Sequence, residues 1–235
     1  MQTASNGSWK RDDFVKEQRV KEIFTTLGAD ACGIASADAF TDAPHGHHPK
    51  DLLPGCKSVI AFLRAMPKGL AMGDLTLYGY FNGLEPDVLD RIALNGAGML
   101  EREFGCTALP LPADGPVASW EEATLKKQGY LSVKHAAVLA GLGSMGKSTL
   151  LFHEAYGNWV NIGVVLTDLF LQADPPQDSI CIPGCTRCME NCPTGAIQNG
   201  TVVQALCRPH TYPGGGVVAC NTCRTICPMR FGKTK

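Results

Sequence analysis

CIPGCTRCMENCP at residues 181–193 and CNTCRTICP at 220–228 decide how the last quarter of this chain must be built. Both runs close with Cys-x-x-Cys-x-x-x-Cys-Pro, the spacing by which thiolates wrap an iron–sulfur cubane. The first supplies Cys181, Cys185, Cys188 and Cys192, the second Cys220, Cys223 and Cys227, and Cys207 stands alone between them. Eight thiolates suit two 4Fe-4S clusters. In two-cluster ferredoxins the Cys before the proline ligates the other cluster, so the expected sets interleave. One is Cys181, Cys185, Cys188 and Cys227; the other is Cys220, Cys223, Cys207 and Cys192. Cys181 is irregular, because three residues separate it from Cys185 where the bacterial run has two.

Zinc and disulfides are the competing readings of so many cysteines. Zinc takes four ligands per ion and has no use for two Cys-Pro endings. Disulfides need an oxidising compartment, and the N-terminal MQTASNGSWKRDDF lacks the apolar core of a secretory signal. A reducing cytoplasm is the expected location. No apolar stretch approaches the roughly 20 residues that span a bilayer, so no membrane association is expected.

The chain has 235 residues, is 45% hydrophobic and carries a net charge of −1. That suits one medium domain with a small appendage. Charge is unevenly placed: from residue 181 onward six Lys or Arg face Glu190 alone, giving +5 there and −6 before it. Two clusters with their thiolates are anionic, so these cations compensate locally; they also suit the docking of an acidic electron donor.

Outward from the cysteines, the loop 171–179 is rich in Pro and Asp and marks a boundary, dividing the chain into 1–175 and 176–235. Residues 161–168 (NIGVVLTD) and 57–63 (KSVIAFL) read as buried strands, and 31–35 as a short one. Phe14, Val20, Ile23, Phe24 and Leu27 fall at helical spacing before Gly28, predicting a helix over 12–27. Pro86 reads as the first residue of a second helix that continues through Val88, Leu89, Ile92, Met99 and Leu100 to Gly105.

AGLGSMGKST (140–149) fits two phosphate-binding patterns at once. Gly141, Gly146, Lys147 and Ser148 have P-loop spacing, and Gly141, Gly143 and Gly146 have that of a dinucleotide fingerprint. Either pattern needs its own fold, and only one good strand follows before the cysteines begin. An iron–sulfur NTPase therefore stays open as a lesser alternative, beside a turn whose glycines admit another bulky or anionic cofactor, or merely shape a tight turn.

The runs KHAAVLAGLGSMGKSTLL (134–151), YGNWVNIGVVLTDLFLQAD (156–174) and CPTGAI (192–197), with LGADACGIASAD (27–38) and LPGCKSVIAF (53–62), together resemble the epoxyqueuosine reductase family, relatives of reductive dehalogenases. The resemblance implies an α/β (α+β) chain: a nitroreductase-like domain holding cobalamin, or alternatively flavin, followed by a ferredoxin-like domain with two 4Fe-4S clusters. It implies a relay from a ferredoxin- or flavodoxin-type donor through the clusters to a corrinoid that reduces a small substrate or serves a corrinoid protein. On it, Gly141, Gly143, Gly146, Lys147 and Ser148 border the cobalamin. The alternative is a non-catalytic electron-transfer protein.

Several features depart from that family. Its acidic residue, proposed as a proton donor, precedes the Gly-rich motif; counting back from Gly141 finds Lys127 near that place, with Glu121 and Glu122 beyond it. No catalytic residue is assigned. The C-terminal helical repeats of longer members are missing from this sequence, as in a short form, and a net charge of −1 counts against tRNA as a partner. HGHHP at 45–49 reads as a solvated loop, and Cys32, Cys56 and Cys106 as core residues.

Overall fold

The computed structural model describes residues 9–122, 126–198, 200–213 and 218–233; the side chains of 9–15, Phe14 among them, lie outside the description. In chain order the elements are α1 (Trp9–Thr26), β1 (Ala31–Ser36), α2 (Pro49–Leu52), β2 (Ser58–Ala65), α3 (Leu75–Phe104), β3 (Ala108–Leu111), β4 (Ser119–Glu121), β5 (Lys126–Gln128), α4 (Val133–Leu139), β6 (Ser144–Met145), β7 (Leu151–Phe152) and β8 (Val160–Thr167). The cysteine-bearing part follows with α5 (Arg187–Glu190), β9 (Ile197–Gln198), β10 (Thr201–Val202), α6 (Gln204–Thr211) and α7 (Thr222–Thr225). Among the described residues no helix is long and apolar enough to cross a membrane.

The central sheet has the order β1-β2-β8-β3 with every neighbour antiparallel. Both of its faces are covered, which is why β2 and β8 read as continuous apolar runs instead of alternating ones. Val59, Ala61 and Leu63 point into a core with Ala136, Ala137 and Ala140 of α4. Ile60 and Phe62 point the other way, into a core with Val20, Ile23 and Phe24 of α1 and Leu89, Ile92 and Leu100 of α3. The Phe24 and Phe62 rings stack 5.1 Å apart. Each such side chain contributes about 1.5–3 kcal/mol by leaving water.

Two helical expectations meet different outcomes. α1 ends where Gly28 predicted, but α3 starts eleven residues before Pro86, at Leu75, with Pro86 inside it. The cause is a cap: Asp74 Oδ1 accepts from the Thr76 N–H at 2.7 Å, satisfying one of the donors orphaned at a helix start. The helix then tolerates the bond that Pro86 cannot make. It stops at Gly105, whose φ of +64° is the left-handed conformation usual after a C-cap.

Residues 169–181 carry no regular element, yet they are fastened. The Asp174 carboxylate accepts from the Ile34 N–H at 2.8 Å and from Lys21 Nζ at 2.5 Å, while the Asp174 N–H donates to the Ile34 carbonyl at 2.8 Å. The segment runs along the free edge of β1 and shields it.

Candidate active site

The thiols fall into two neighbourhoods that cross the sequence order. Cys181, Cys185, Cys188 and Cys227 line one cavity. Burial raises the Cys227 pKa, and the neighbouring thiols of Cys181, Cys185 and Cys188 add to the rise. Cys223 lies in the other group: burial pushes it up to about 11, with Arg224 opposing and the thiols of Cys220, Cys207 and Cys192 adding. Cys192 moves the other way, because N–H groups of Thr194, Ile197 and Ala196 and the Thr194 hydroxyl outweigh its burial and favour the thiolate. Thiols packed this closely resist ionising together unless a cation takes the place of their protons.

Short helices hold them there. Cys188 lies in α5, Cys207 in α6 and Cys223 in α7. Among the described residues, no three His, Cys, Asp or Glu side chains close on a point as they would round a single metal ion. The first four thiols instead stand on the walls of the cavity they share.

A second cleft of ≈ 460 Å³ opens between the sheet domain and the cysteine-bearing part. Its walls include Tyr78, Asn82 and Pro86 of α3, Lys134 of α4, Asn158 and Asn161 at the start of β8, and Tyr212, Cys220 and Arg224 from beyond residue 181. Asn158 is 1% exposed, with neither side-chain amide atom partnered; Asn161 Nδ2 and Asn82 Oδ1 also lack partners. Buried amides left this way mark where a polar ligand belongs.

Arg224 ties the two parts together. Its Nη1 donates to the carbonyls of Asn158 (2.6 Å) and Val160 (3.2 Å), and Nη2 donates to Asn161 Oδ1 (3.4 Å). Arg224→Ala is expected to lower the unfolding free energy by about 3 kcal/mol, the scale of charge-assisted bonds lost with their acceptors stranded. Arg224→Lys should restore only part, since an ammonium lacks the planar fork. Urea unfolding of the three proteins measures both.

Three further groups in the cleft carry protons. Lys134 Nζ donates to the Thr149 carbonyl at 2.7 Å, and its pKa is lowered by burial and then by Arg224. Burial raises the pKa of both Tyr78 and Tyr212, so these phenols keep their protons at neutral pH. Lys127, near the place where the resemblance implies an acid, pairs instead with Asp114 at 2.5 Å; Asp114 itself lines the cleft. Sequence reading did not find Lys134, Asn158, Asn161, Arg224 or Asp114 as site residues, because no spacing links positions that meet only through the fold.

The Gly-rich segment sits elsewhere. Helix α4 precedes it, and β6 and β7 form a hairpin whose tip is residues 146–150. P-loop and dinucleotide patterns require a strand before the glycines and a helix after them, so this order removes the NTPase reading. A Cβ on Gly141 would stand 2.4 Å from the Pro175 carbonyl oxygen, on Gly143 2.2 Å from that of Phe152, and on Gly146 2.2 Å from the Phe152 ring. Those three glycines let the chain approach itself. Lys147 and Ser148 line the thiol cavity, and none of the five lines the larger cleft.

Four histidines serve local structure. His47 Nδ1 meets the Tyr130 carbonyl oxygen at 3.0 Å and Nε2 meets Gln128 at 2.9 Å; His48 caps α2 by accepting from the Lys50 N–H. His135 bonds Ser132, and His153 accepts from the Ala155 N–H.

The fold is a mixed α/β one shared with solved epoxyqueuosine reductases and reductive dehalogenases. A solved catabolic reductive dehalogenase is 20% identical with a TM-score of 0.73, covering 97% of this chain and 34% of that one. An epoxyqueuosine reductase solved with an epoxyqueuosine-modified tRNA-Tyr stem loop is 22% identical with a TM-score of 0.67, over 94% of this chain and 66% of that one. At these identities the likeness is one of fold. Epoxyqueuosine reductases are also homologues in sequence: that of Gloeobacter violaceus is 30% identical across 86% of this chain, and that of Bacillus cereus 27% across 92%. The chain spans 65% of the length of each of these relatives. No protein-family model matches it.

Proposed function

We propose that this chain is an iron–sulfur reductase with two 4Fe-4S clusters, held by the two thiol groups, that feed a corrinoid in the larger cleft. On this reading residues 1–175 form a nitroreductase-like domain and 176–235 a ferredoxin-like one. The observation that carries it is the position of Cys220 and Arg224 on the cleft wall, which brings one thiol group to the cleft while the other lies beyond it, against Lys147 and Ser148. Electrons from an external low-potential donor would then enter at the first group and leave through the second.

The residues fit the groups they would hold. The cleft, at ≈ 460 Å³, falls within the roughly 300–1,000 Å³ of ligand pockets and opens to solvent on one side. The orphaned amides of Asn158 and Asn161 suit the polar side chains at a corrin's rim. When bound, the corrinoid supplies low-valent cobalt, a reductant and nucleophile that no side chain can imitate. The protein supplies position and protons: Arg224 holds the cleft wall to the cysteine loop, and Tyr78 Oη, Tyr212 Oη and Lys134 Nζ are the proton-bearing atoms within it.

The relatives' name points to an epoxide on a tRNA nucleoside as the first substrate to test. Removing that oxygen as water takes two electrons and two protons, which the clusters and these three side chains would deliver. The net charge of −1 carries little weight against tRNA, because local charge governs phosphate contact and the part beyond residue 181 is basic.

Anaerobic titration of cluster-reconstituted protein with cob(II)alamin, followed by EPR, tests the reading. Saturable conversion of the base-on cobalt signal to a base-off one, at about one corrinoid per chain, is expected. An unchanged cobalt spectrum with reducible clusters would overturn it in favour of flavin or an electron-transfer role.

A further inference from the structure

We propose that Lys147 and Ser148, the Gly-Lys-Ser tip that imitates a nucleotide loop, instead serve the first iron–sulfur cluster: Ser148 Oγ–H donates to one of its sulfurs and Lys147 secures its ligand loop. The inference rests on the cluster reading above and deepens it.

Ser148 is 3% exposed and its Oγ has no hydrogen-bond partner. It lines the cavity whose walls carry Cys181, Cys185, Cys188 and Cys227. A buried hydroxyl left without a partner marks a ligand group still to be supplied. Two carbonyls at that wall are already engaged, since Lys147 Nζ donates to Cys185 at 2.9 Å and to Ile182 at 3.4 Å. Sulfur is therefore the acceptor that the cavity offers Ser148. The same two bonds from Lys147 fix the stretch that bears Cys181 and Cys185, and they bring a positive charge to an anionic cluster.

The hairpin tip is shaped for this. Thr149, immediately after Ser148, has φ +60°, the only positive φ outside glycine among the described residues. A β-branched residue there is a backbone outlier, which persists only where its surroundings impose it. Here Lys134 Nζ holds its carbonyl at 2.7 Å and the Thr149 N–H donates to the Gly146 carbonyl at 2.9 Å. The turn thus keeps Ser148 inside.

Hydrogen bonds to cluster sulfurs raise the reduction potential. Ser148 is accordingly a tuning residue, and the decisive readout is a potential. Reconstituted parent, Ser148→Ala and Ser148→Thr proteins would be titrated anaerobically with EPR detection, the first cluster's signal being the one that Cys227→Ala abolishes. The Ala variant should keep its iron and lose about tenfold in the reduced-to-oxidised ratio of the first cluster at the parent's midpoint, a shift of about 59 mV to lower potential for one electron. The second cluster should not move, and Thr should restore the parent value. An exchangeable proton coupled to the first cluster should vanish only in the Ala variant. Unmoved potentials with full iron content, or equal shifts at both clusters, would overturn the assignment. Absence of tetranuclear clusters from the parent would overturn the cluster reading as well, a result plainly distinct from the other two.

Discussion

Replacing Cys227 with alanine should cost the protein the cluster bound by Cys181, Cys185 and Cys188, and leave the cluster of its sequence neighbours Cys220 and Cys223 in place. Cys227 follows Cys223 by four residues, and a linear reading would assign the two to one site. In space, however, Cys227 shares a cavity with the first run, and the thiols that raise its pKa are those of Cys181, Cys185 and Cys188. The expected loss is about four of about eight irons per chain, with one EPR signal gone and the other intact. Cys192→Ala is the mirror experiment: it belongs to the first run by sequence, but its removal should empty the site of Cys207, Cys220 and Cys223. If Cys227→Ala instead removed the Cys220 and Cys223 cluster, both the interleaved assignment and the order of the relay would fall.

Gly143→Ala should destabilise the protein by about 3–5 kcal/mol even when no cofactor is bound. Two independent costs meet at this position. Its φ is +143°, where a side chain is strained, and the added Cβ would stand 2.2 Å from the Phe152 carbonyl oxygen, a backbone atom that cannot swing aside. Gly184 is the natural control, with φ +74° and nothing within 4 Å of its Cβ; alanine there should cost only about 1 kcal/mol. Urea unfolding of the cluster-free proteins distinguishes the two roles of Gly143. A glycine kept open for a cofactor would leave the unloaded protein as stable as the parent, whereas one that seats β6 against β7 will not.

The cysteine spacing was the clearest signal in the sequence because each run's ligands are local to one or two turns. Strands β2 and β8 were legible for a different reason: with both faces buried, each carries an unbroken apolar run, Val59 to Leu63 and Ile162 to Leu166. β3 was hidden, since ALPL is four residues long and contains Pro110, which an edge strand tolerates and a central one does not. The first third of α3 was hidden too. Leu77, Tyr80, Phe81 and Leu84 are large, apolar and exposed, so no buried stripe stands out from its surroundings and Pro86 looks like a beginning. The homology to epoxyqueuosine reductases was readable from the motifs, and the alignments across most of the chain show it. The cleft was not readable, because Tyr78, Lys134, Asn158 and Arg224 come from four parts of the chain and meet only once the sheet has placed them.

The place of β8 in that sheet has a consequence for how the protein is made. β8 lies between β2 and β3, and β2 cannot reach β3 without it. A ribosome making this chain will therefore have released about two thirds of it before the sheet can close. Until then β2 exposes an unpaired edge, the kind of surface that invites pairing with other chains. Closure also creates the wall that Arg224 grips. On the proposed cluster reading, metal loading of the last part should be safest after β8 has docked, when the thiols emerge beside a finished surface.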